Sequence, residues 1–218
     1  FNAHNIIVVG KEGDHYFVSD PIMETFATMT DYELERVRFA RGPLAPHGQL
    51  YYPKASREVT NTEMKQAIIT GIKRNVQHML YIPGNIAGVK GIAYTARKIK
   101  KWRDTLGVEK SRSYLAQLVR MQEEIGTGGG GFRFIYAAFL QQAYDYFKAD
   151  ELLAISKQFT KAGDLWRDAA IQASGIYKGR LSTQKDYEDM GDYLIEIAGI
   201  EKNAFKALGS TVKKLRTL

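Results

Sequence analysis

The chain has 218 residues, of which 44% are apolar and 25% are charged, and its formal net charge is +7. It contains no cysteine, which excludes a disulfide scaffold, a cysteine-ligated zinc site and a thiol nucleophile within these residues. No apolar run approaches the ~18 residues that a membrane span needs, and no signal-peptide pattern follows Phe1. We therefore expect a cytoplasmic protein that is a fragment or a processed product.

Two short β-branched and aromatic runs open the chain, Ile6 to Val9 and His15 to Val18, with a polar turn containing glycine between them. This pattern predicts an antiparallel hairpin. His4 would then lie beside Asp20 at the open end of the hairpin, where the carboxylate could hold one imidazole nitrogen and leave the other to act on a nucleophile. The alternative is a structural pair, because a histidine and an aspartate flank many hairpins.

Residues 22–58 have mixed character, and Pro43, Pro46 and Pro53 exclude long helices there. From Thr60 the pattern becomes helical, since Thr60 and Glu63 fit a capping box. The sequence thus predicts an α+β protein, with a β piece in residues 1–58 and a mainly helical domain in residues 59–218.

Helical periodicity continues to the end of the chain. A first helix would bury an i+4 stripe and stop before Pro83-Gly84, and a second would span about 85–104. A third, from Ser111 to Ile125, would bury Tyr114, Leu115 and Leu118. The further helices would bury two apolar stripes, with Asp150 as a cap for the second and a last helix beginning near Thr183. The three stripes are Met64, Ile68, Ile72, Val76 and Leu80; Phe132, Ile135, Tyr136, Phe139, Leu140, Ala143 and Phe147; and Leu152, Ile155, Phe159, Ala162 and Trp166.

The positive charge is concentrated in residues 59–112, which carry eleven basic and three acidic side chains. Its densest part is Arg97, Lys98, Lys100 and Lys101, followed by Arg103. Such a patch steers an acidic partner better than diffuse charge does. We do not expect nucleic acid, since no reader motif accompanies the patch. A solvated helix face is the alternative.

A glycine run, residues 126–131, lies between two predicted helices, and Arg133 falls in the first turn of the second. Backbone N–H groups of Gly128, Gly129 and Gly130 together with Arg133 predict an anion or substrate contact. It is not a Walker loop, because no lysine-serine/threonine pair follows the last glycine. The alternative is a helix C-cap at Gly126 with a flexible connector or tight helix packing.

The acidic cluster Asp186, Glu188, Asp189 and Asp192 matches no metal-binding loop, so we expect an exposed acidic face and no metal. His78 lies within a periodic helix, His47 has no partner in the sequence around it, and His15 alternates to the solvent face of its strand. Among the histidines, His4 is therefore the candidate for chemistry.

The segment from His4 to Gly10, a turn, and then Tyr16-Phe17-Val18-Ser19-Asp20-Pro21 resembles the second half of a papain-like cysteine peptidase domain, as in the bacteriocin-transporter leader peptidases. The whole chain more closely resembles the butirosin biosynthesis protein H family, in which a papain-like domain precedes a helical domain of unassigned role. Residues 124–133 (EIGTGGGGFR) with Tyr136-Ala137-Ala138-Phe139-Leu140 are similar to the hallmark of that helical domain.

The resemblance implies an enzyme that moves an acyl group from an acyl carrier protein to a small amine acceptor, such as an aminoglycoside amine. His4 is the implied base and Asp20 its orienter, while the cysteine nucleophile is absent from this chain. No bound cofactor is implied, although the carrier can present phosphopantetheine to the glycine run, and Arg97, Lys98, Lys100 and Lys101 would dock the carrier.

Two other functions stay open on the sequence alone. A papain-like peptidase or amidase would use the same residues with water as the acceptor. A non-catalytic helical binding or scaffold module would need the hairpin only to complete its fold. A hairpin without its partner subdomain would also expose a strand edge and invite self-association, so a homo-oligomer is one alternative and the oligomeric state stays open.

Overall fold

The computed structural model describes residues 4–20, 23–42, 45–52, 57–124 and 127–215. The chain divides into two compact units, residues 1–58 and 59–218. The first carries a small antiparallel sheet and the second is helical, which confirms the predicted α+β class. Pro21, Ile125 and the predicted helix cap Gly126 lie outside the described residues.

The first unit is a three-stranded antiparallel sheet in the order β1-β2-β3, followed by one helix. Its elements are β1 (Ile7–Glu12), β2 (His15–Ser19), β3 (Ala27–Thr30) and α1 (Asp31–Arg38). The β1–β2 hairpin was predicted, whereas β3 and α1 were not. Both agree with the prolines of residues 22–58, which exclude only long helices. Thr30 ends β3 and caps α1 through a capping box with Glu33, so a single residue makes the strand-to-helix transition.

The second unit contains the remaining six long helices that the structure describes. They are α2 (Asn61–Leu80), α3 (Gly88–Leu106), α4 (Val108–Val119), α5 (Arg133–Phe147), α6 (Asp150–Tyr177) and α7 (Gln184–Leu215). A π-helical turn (Arg120–Glu124) follows α4, and a short 3-10 turn (Gly130–Phe132) leads into α5. The predicted capping box is confirmed, since Thr60 Oγ1 accepts from Glu63 N–H and the Glu63 carboxylate accepts from Thr60 N–H.

Two apolar cores fill the helical unit, and the two longest helices span both. The first core joins α2 and α5 to one half each of α6 and α7, around Ile72, Leu140, Phe159 and Leu208. The second joins α3 and α4 to the other halves, around Ile99, Leu115 and Leu194. At 1.5 Å per residue, α6 and α7 are about 42 and 48 Å long, which is enough to carry both cores.

Several predicted burials are wrong for local reasons. Phe132 precedes α5 with a left-handed backbone and is 56% exposed, and Ile135 is 54% exposed on the outer face of that helix. Tyr114 is also exposed, with its ring edge-on to Trp102.

Asp150 is the first residue of α6 rather than its cap, which is Ala149. Within the described residues, no helix is both long enough and apolar enough to cross a membrane.

Candidate functional site

The open end of the β1–β2 hairpin brings His4 and Asp20 together. Ile7 pairs with Ser19 in the antiparallel register, so the residues just outside both strands face each other. His4 Nε2 lies 2.9 Å from Asp20 Oδ1, a hydrogen-bonding distance. The structure therefore places these two side chains as the hairpin geometry predicts, although they are sixteen positions apart.

The contact with Asp20 favours one tautomer of a neutral His4. Because an ionised carboxylate can only accept, Asp20 holds the proton on Nε2 of a neutral His4 and leaves the lone pair on Nδ1. The His4 side chain is 36% exposed and that of Asp20 is 18% exposed, so the ring remains reachable while its orienter is mostly covered. An oriented imidazole with one nitrogen available can act as a general base.

A second contact ties a distant segment to the residue beside His4. Tyr51 donates its hydroxyl to Asn5 Oδ1 at 2.8 Å, across 46 positions of the chain. Arg38 Nη2 donates to the Gly48 carbonyl at 2.8 Å, which fixes the base of the segment that carries Tyr51. Sequence reasoning missed these contacts, because Asn5 and Tyr51 are 46 positions apart and no local pattern links them.

The first unit leaves most of its apolar side chains uncovered. Among its described residues only Val18 is buried, at 2% exposure, and every residue of β1 is exposed. β1 is also an edge strand of the sheet. The large exposed apolar side chains are Ile7, Val8, Val9, Met23, Phe26, Tyr32, Val37, Phe39, Leu50, Tyr51 and Tyr52. The first unit thus combines many exposed apolar side chains with an edge strand.

Two backbone N–H groups of the glycine run donate hydrogen bonds to side chains of the protein itself. Gly130 N–H donates to Glu123 Oε1 at 3.0 Å, and Gly129 N–H donates to Thr127 Oγ1 at 3.2 Å. Gly129 and Gly130 are buried, while Gly128 is exposed. The Glu123 carboxylate therefore occupies the position expected for a bound anion. An incoming anion would have to displace it from Gly130 N–H.

Close packing explains why these residues are glycines. Gly130 and Gly131 have φ angles of 57° and 54°, in the left-handed region that side chains disfavour. A Cβ on Gly131 would lie 1.9 Å from Gln122 Oε1, and one on Gly130 would lie 3.0 Å from Gly163 Cα of α6. The run thus brings the π-helical turn and α6 together, as in the tight-packing alternative.

Arg133 is also committed inside the protein. Its guanidinium donates to both carboxylate oxygens of Glu201 at 2.7 and 3.0 Å and to the Gly131 carbonyl at 2.6 Å. Glu201 is fully buried and accepts a further bond from Trp166 Nε1 at 3.1 Å. Arg133, predicted as a substrate contact, therefore anchors the glycine run to α7 instead of offering free donors.

The basic segment of α3 keeps three of its four predicted surface charges. Arg97, Lys98 and Lys101 are exposed. Lys100 points instead toward α7, where its Nζ pairs with Asp192 at 2.5 Å and its stem lies against Gly191. Helical spacing turns Lys100 toward the neighbouring helix, where its charge is already paired, so its part in docking an acidic partner stays a prediction.

The family profile described as "Domain of unknown function (DUF4872)" matches residues 32–208. The chain belongs to this family. The match covers α1 and nearly all of the helical unit, including the glycine run and the Arg133–Glu201 pair, whereas His4 and Asp20 lie before it. A search of curated proteins gives no match.

Metal binding and shifted pKa values do not mark a site in the DUF4872 part, residues 32–208, as far as the structure describes it. Within the described residues, no group of three or more histidines and carboxylates has the arrangement of a metal site. Burial raises the pKa of the Tyr136 hydroxyl to about 12, against a smaller opposing effect of Asn75. At neutral pH Tyr136 is therefore a neutral core residue, and no sequence pattern marked it as different from the other aromatic residues of its stripe.

Proposed function

We propose that this chain is part of a papain-like cysteine acyltransferase, active in the cytoplasm in secondary-metabolite biosynthesis, that moves an acyl group from a carrier-protein thioester to an amine acceptor. The single observation that supports it most is the hydrogen bond between His4 Nε2 and Asp20 Oδ1. The resemblance to the butirosin biosynthesis protein H family supports it further. The nucleophilic cysteine would come from a polypeptide segment outside this sequence, which has none.

In this reaction His4 Nδ1 takes the proton of the cysteine thiol, and the thiolate attacks the thioester carbonyl. The carrier thiol leaves with that proton, so an acyl-enzyme and neutral His4 remain. The amine then attacks the acyl carbonyl and gives its proton to His4, which passes it to the departing cysteine. Asp20 holds the ring in position and stabilises its charged form in both halves of the reaction.

The uncovered apolar surface of the first unit supports the requirement for a further segment. A sheet whose edge strand exposes Ile7, Val8 and Val9 needs another layer to remove them from water. In the proposed enzyme that layer carries the cysteine to the open end of the hairpin. Arg97, Lys98 and Lys101 would receive the acidic carrier, which itself presents any phosphopantetheine.

A non-catalytic helical module is the second candidate. The commitment of Arg133, Gly129 and Gly130 to internal partners favours it, since these groups then maintain the fold of the DUF4872 part. In that case His4 and Asp20 would only close the hairpin. A hydrolase using water as the acceptor shares the same His4 chemistry and is distinguished by its product.

The test is acyl transfer by the native gene product, with an acyl-carrier thioester as donor and a primary amine as acceptor. We expect His4→Ala to lower turnover at least ~100-fold, as loss of a general base does. His15→Ala is the matched control, because His15 is an exposed strand residue whose Nδ1 contacts only its neighbour Asp14 in the described part of the chain. Lys98→Glu should raise the KM for the carrier, more at low than at high salt.

Mass spectrometry of the same reactions follows the acyl-enzyme and the product. An acylated cysteine upstream of His4 and an amide product support the transferase, and a free acid indicates the hydrolase. Equal turnover of the His4→Ala and His15→Ala variants, or a native product without cysteine, would refute the enzyme and favour the helical module.

A further inference from the structure

A cleft in the helical unit has features that no part of the proposed transferase uses. It lies beside the π-helical turn, between the end of α4, the second half of α6 and the turn after α6, and its volume is about 590 Å³. Val119, Ala170, Ile171 and Leu181 give it an apolar wall. Two guanidinium groups, of Arg167 and Arg180, share the lining with a single carboxylate, that of Glu123.

Arg167 packs against Gly129 of the glycine run. A Cβ on Gly129 would lie 2.9 Å from Arg167 Nη2, so a side chain there would displace the guanidinium from this position. The Arg167 guanidinium also lies over the Phe134 ring, with Cζ 4.7 Å from the ring centroid. The ring contact favours this position of the guanidinium, at the edge of the cleft.

Arg167 faces Glu123 in a long ion pair, so its N–H donors are not committed to that carboxylate. The distance from Arg167 Nε to Glu123 Oε2 is 3.9 Å, too long for a hydrogen bond, because Glu123 directs its other oxygen to Gly130 N–H. The Arg167 side chain is 57% exposed. Arg180 is also exposed and forms no ion pair with the part of the chain that the structure describes. The cleft thus has an excess of positive charge beside its apolar wall.

We propose that this cleft binds an amphiphilic anion, with a carboxylate or phosphate head at Arg167 and Arg180 and an apolar body against Val119, Ile171 and Leu181. Guanidinium groups bind both heads through paired N–H donors, and the wall removes the body from water. The inference depends on the helical unit alone and is independent of His4. Gly129 lies at the edge of the cleft, beside the Arg167 guanidinium.

The test is calorimetric titration of the 218-residue chain with four probes: octanoate, octyl phosphate, acetate and octylamine. We expect octanoate or octyl phosphate to bind at least ~10-fold more tightly than acetate, because each buried methylene adds affinity. Octylamine should not bind, and the ratio between the two anionic probes identifies the preferred head. Octylamine binding as tightly as the anions, or acetate as tightly as octanoate, would overturn the proposal.

Variants locate the binding. Arg180→Met, which removes an exposed side chain, and Arg167→Met should each weaken binding of the tighter anion about tenfold, the usual loss of a charge-assisted hydrogen bond. Arg74→Met, on an exposed face of α2, is the matched control and should leave binding unchanged. In NMR spectra the Gly129 and Gly130 amides should shift on saturation. Undiminished binding to the Arg180→Met and Arg167→Met proteins would place the probe elsewhere and refute the cleft as the site.

Discussion

The strongest test of the helical unit is the substitution Glu201→Gln. It keeps the shape of the side chain and an acceptor for Trp166, but it replaces one carboxylate oxygen by an amide that faces the Arg133 guanidinium. Arg133 then keeps its charge in a site where its side chain is only 17% exposed. Removing one partner of a buried ion pair costs ~3–5 kcal/mol, mostly through the charge left behind.

The value for this pair falls at the lower end of that range, about 3 kcal/mol. Arg133 keeps some access to water and its 2.6 Å bond to the Gly131 carbonyl, and both reduce the cost. For a domain of this size, that loss corresponds to a decrease in Tm of roughly 6–12 °C. Because Arg133 connects the glycine run to α7, the loop and the helix should lose stability together.

Urea unfolding followed by circular dichroism at 222 nm measures the change, since this signal reports the helical unit. Glu196→Gln is the matched control, because Glu196 lies on the same helix and, among the described residues, makes only an exposed 3.9 Å pair with Lys161. It should change the free energy of unfolding by less than ~0.5 kcal/mol. Adding Arg133→Met to Glu201→Gln should recover at least ~1 kcal/mol relative to the sum of the single changes. If Glu201→Gln costs no more than Glu196→Gln, the buried pair does not anchor the loop.

Two further predictions concern the same unit. Gly131→Ala should lower the free energy of unfolding by about 2 kcal/mol or more, because it adds a Cβ to a left-handed backbone at 1.9 Å from Gln122 Oε1. Gly71→Ala, in an open position of α2, should raise it by ~0.5–1 kcal/mol, and equal effects in urea unfolding would contradict this account of the run. Burial raises the pKa of Tyr136 to about 12, above its unfolded value near 10, so the unfolded chain loses this proton first. The stability from this group is therefore complete below pH 10 and falls by roughly 2–3 kcal/mol between pH 10 and 12. Tyr136→Phe should remove that part of the pH dependence in unfolding measured across this range, and an unchanged slope would show that the hydroxyl is not desolvated.

Features encoded by neighbouring residues could be predicted well. The capping box at Thr60, the i+4 stripe around Ile72 and the start of α7 near Thr183 depend on contacts within one turn of helix. The His4–Asp20 contact belongs to the same class, because a tight hairpin fixes the relation of its two ends once the register is known. The third strand was missed, since it is only four residues long and pairs with β2 without a tight turn between them.

The functions of single charged residues were harder to predict. Arg133 and Lys100 both read as exposed cations, but Glu201 and Asp192 pair with them from 68 and 92 positions away. No sequence pattern singled out Arg167, because its contacts with Phe134 and Gly129 form only when α5 and α6 pack together.

The sequence by itself determined the division into a small β piece and a helical unit, most helix positions, and the pairing of His4 with Asp20. These follow from hydrogen bonds and side-chain periodicity over short stretches, which the order of residues specifies directly. Only the tertiary structure decided which charges remain available, because burial and ion pairing join residues from helices far apart in the chain. In the folded protein Gly130 binds Glu123 and Arg133 pairs with Glu201, whereas Arg167 and Arg180 line the cleft.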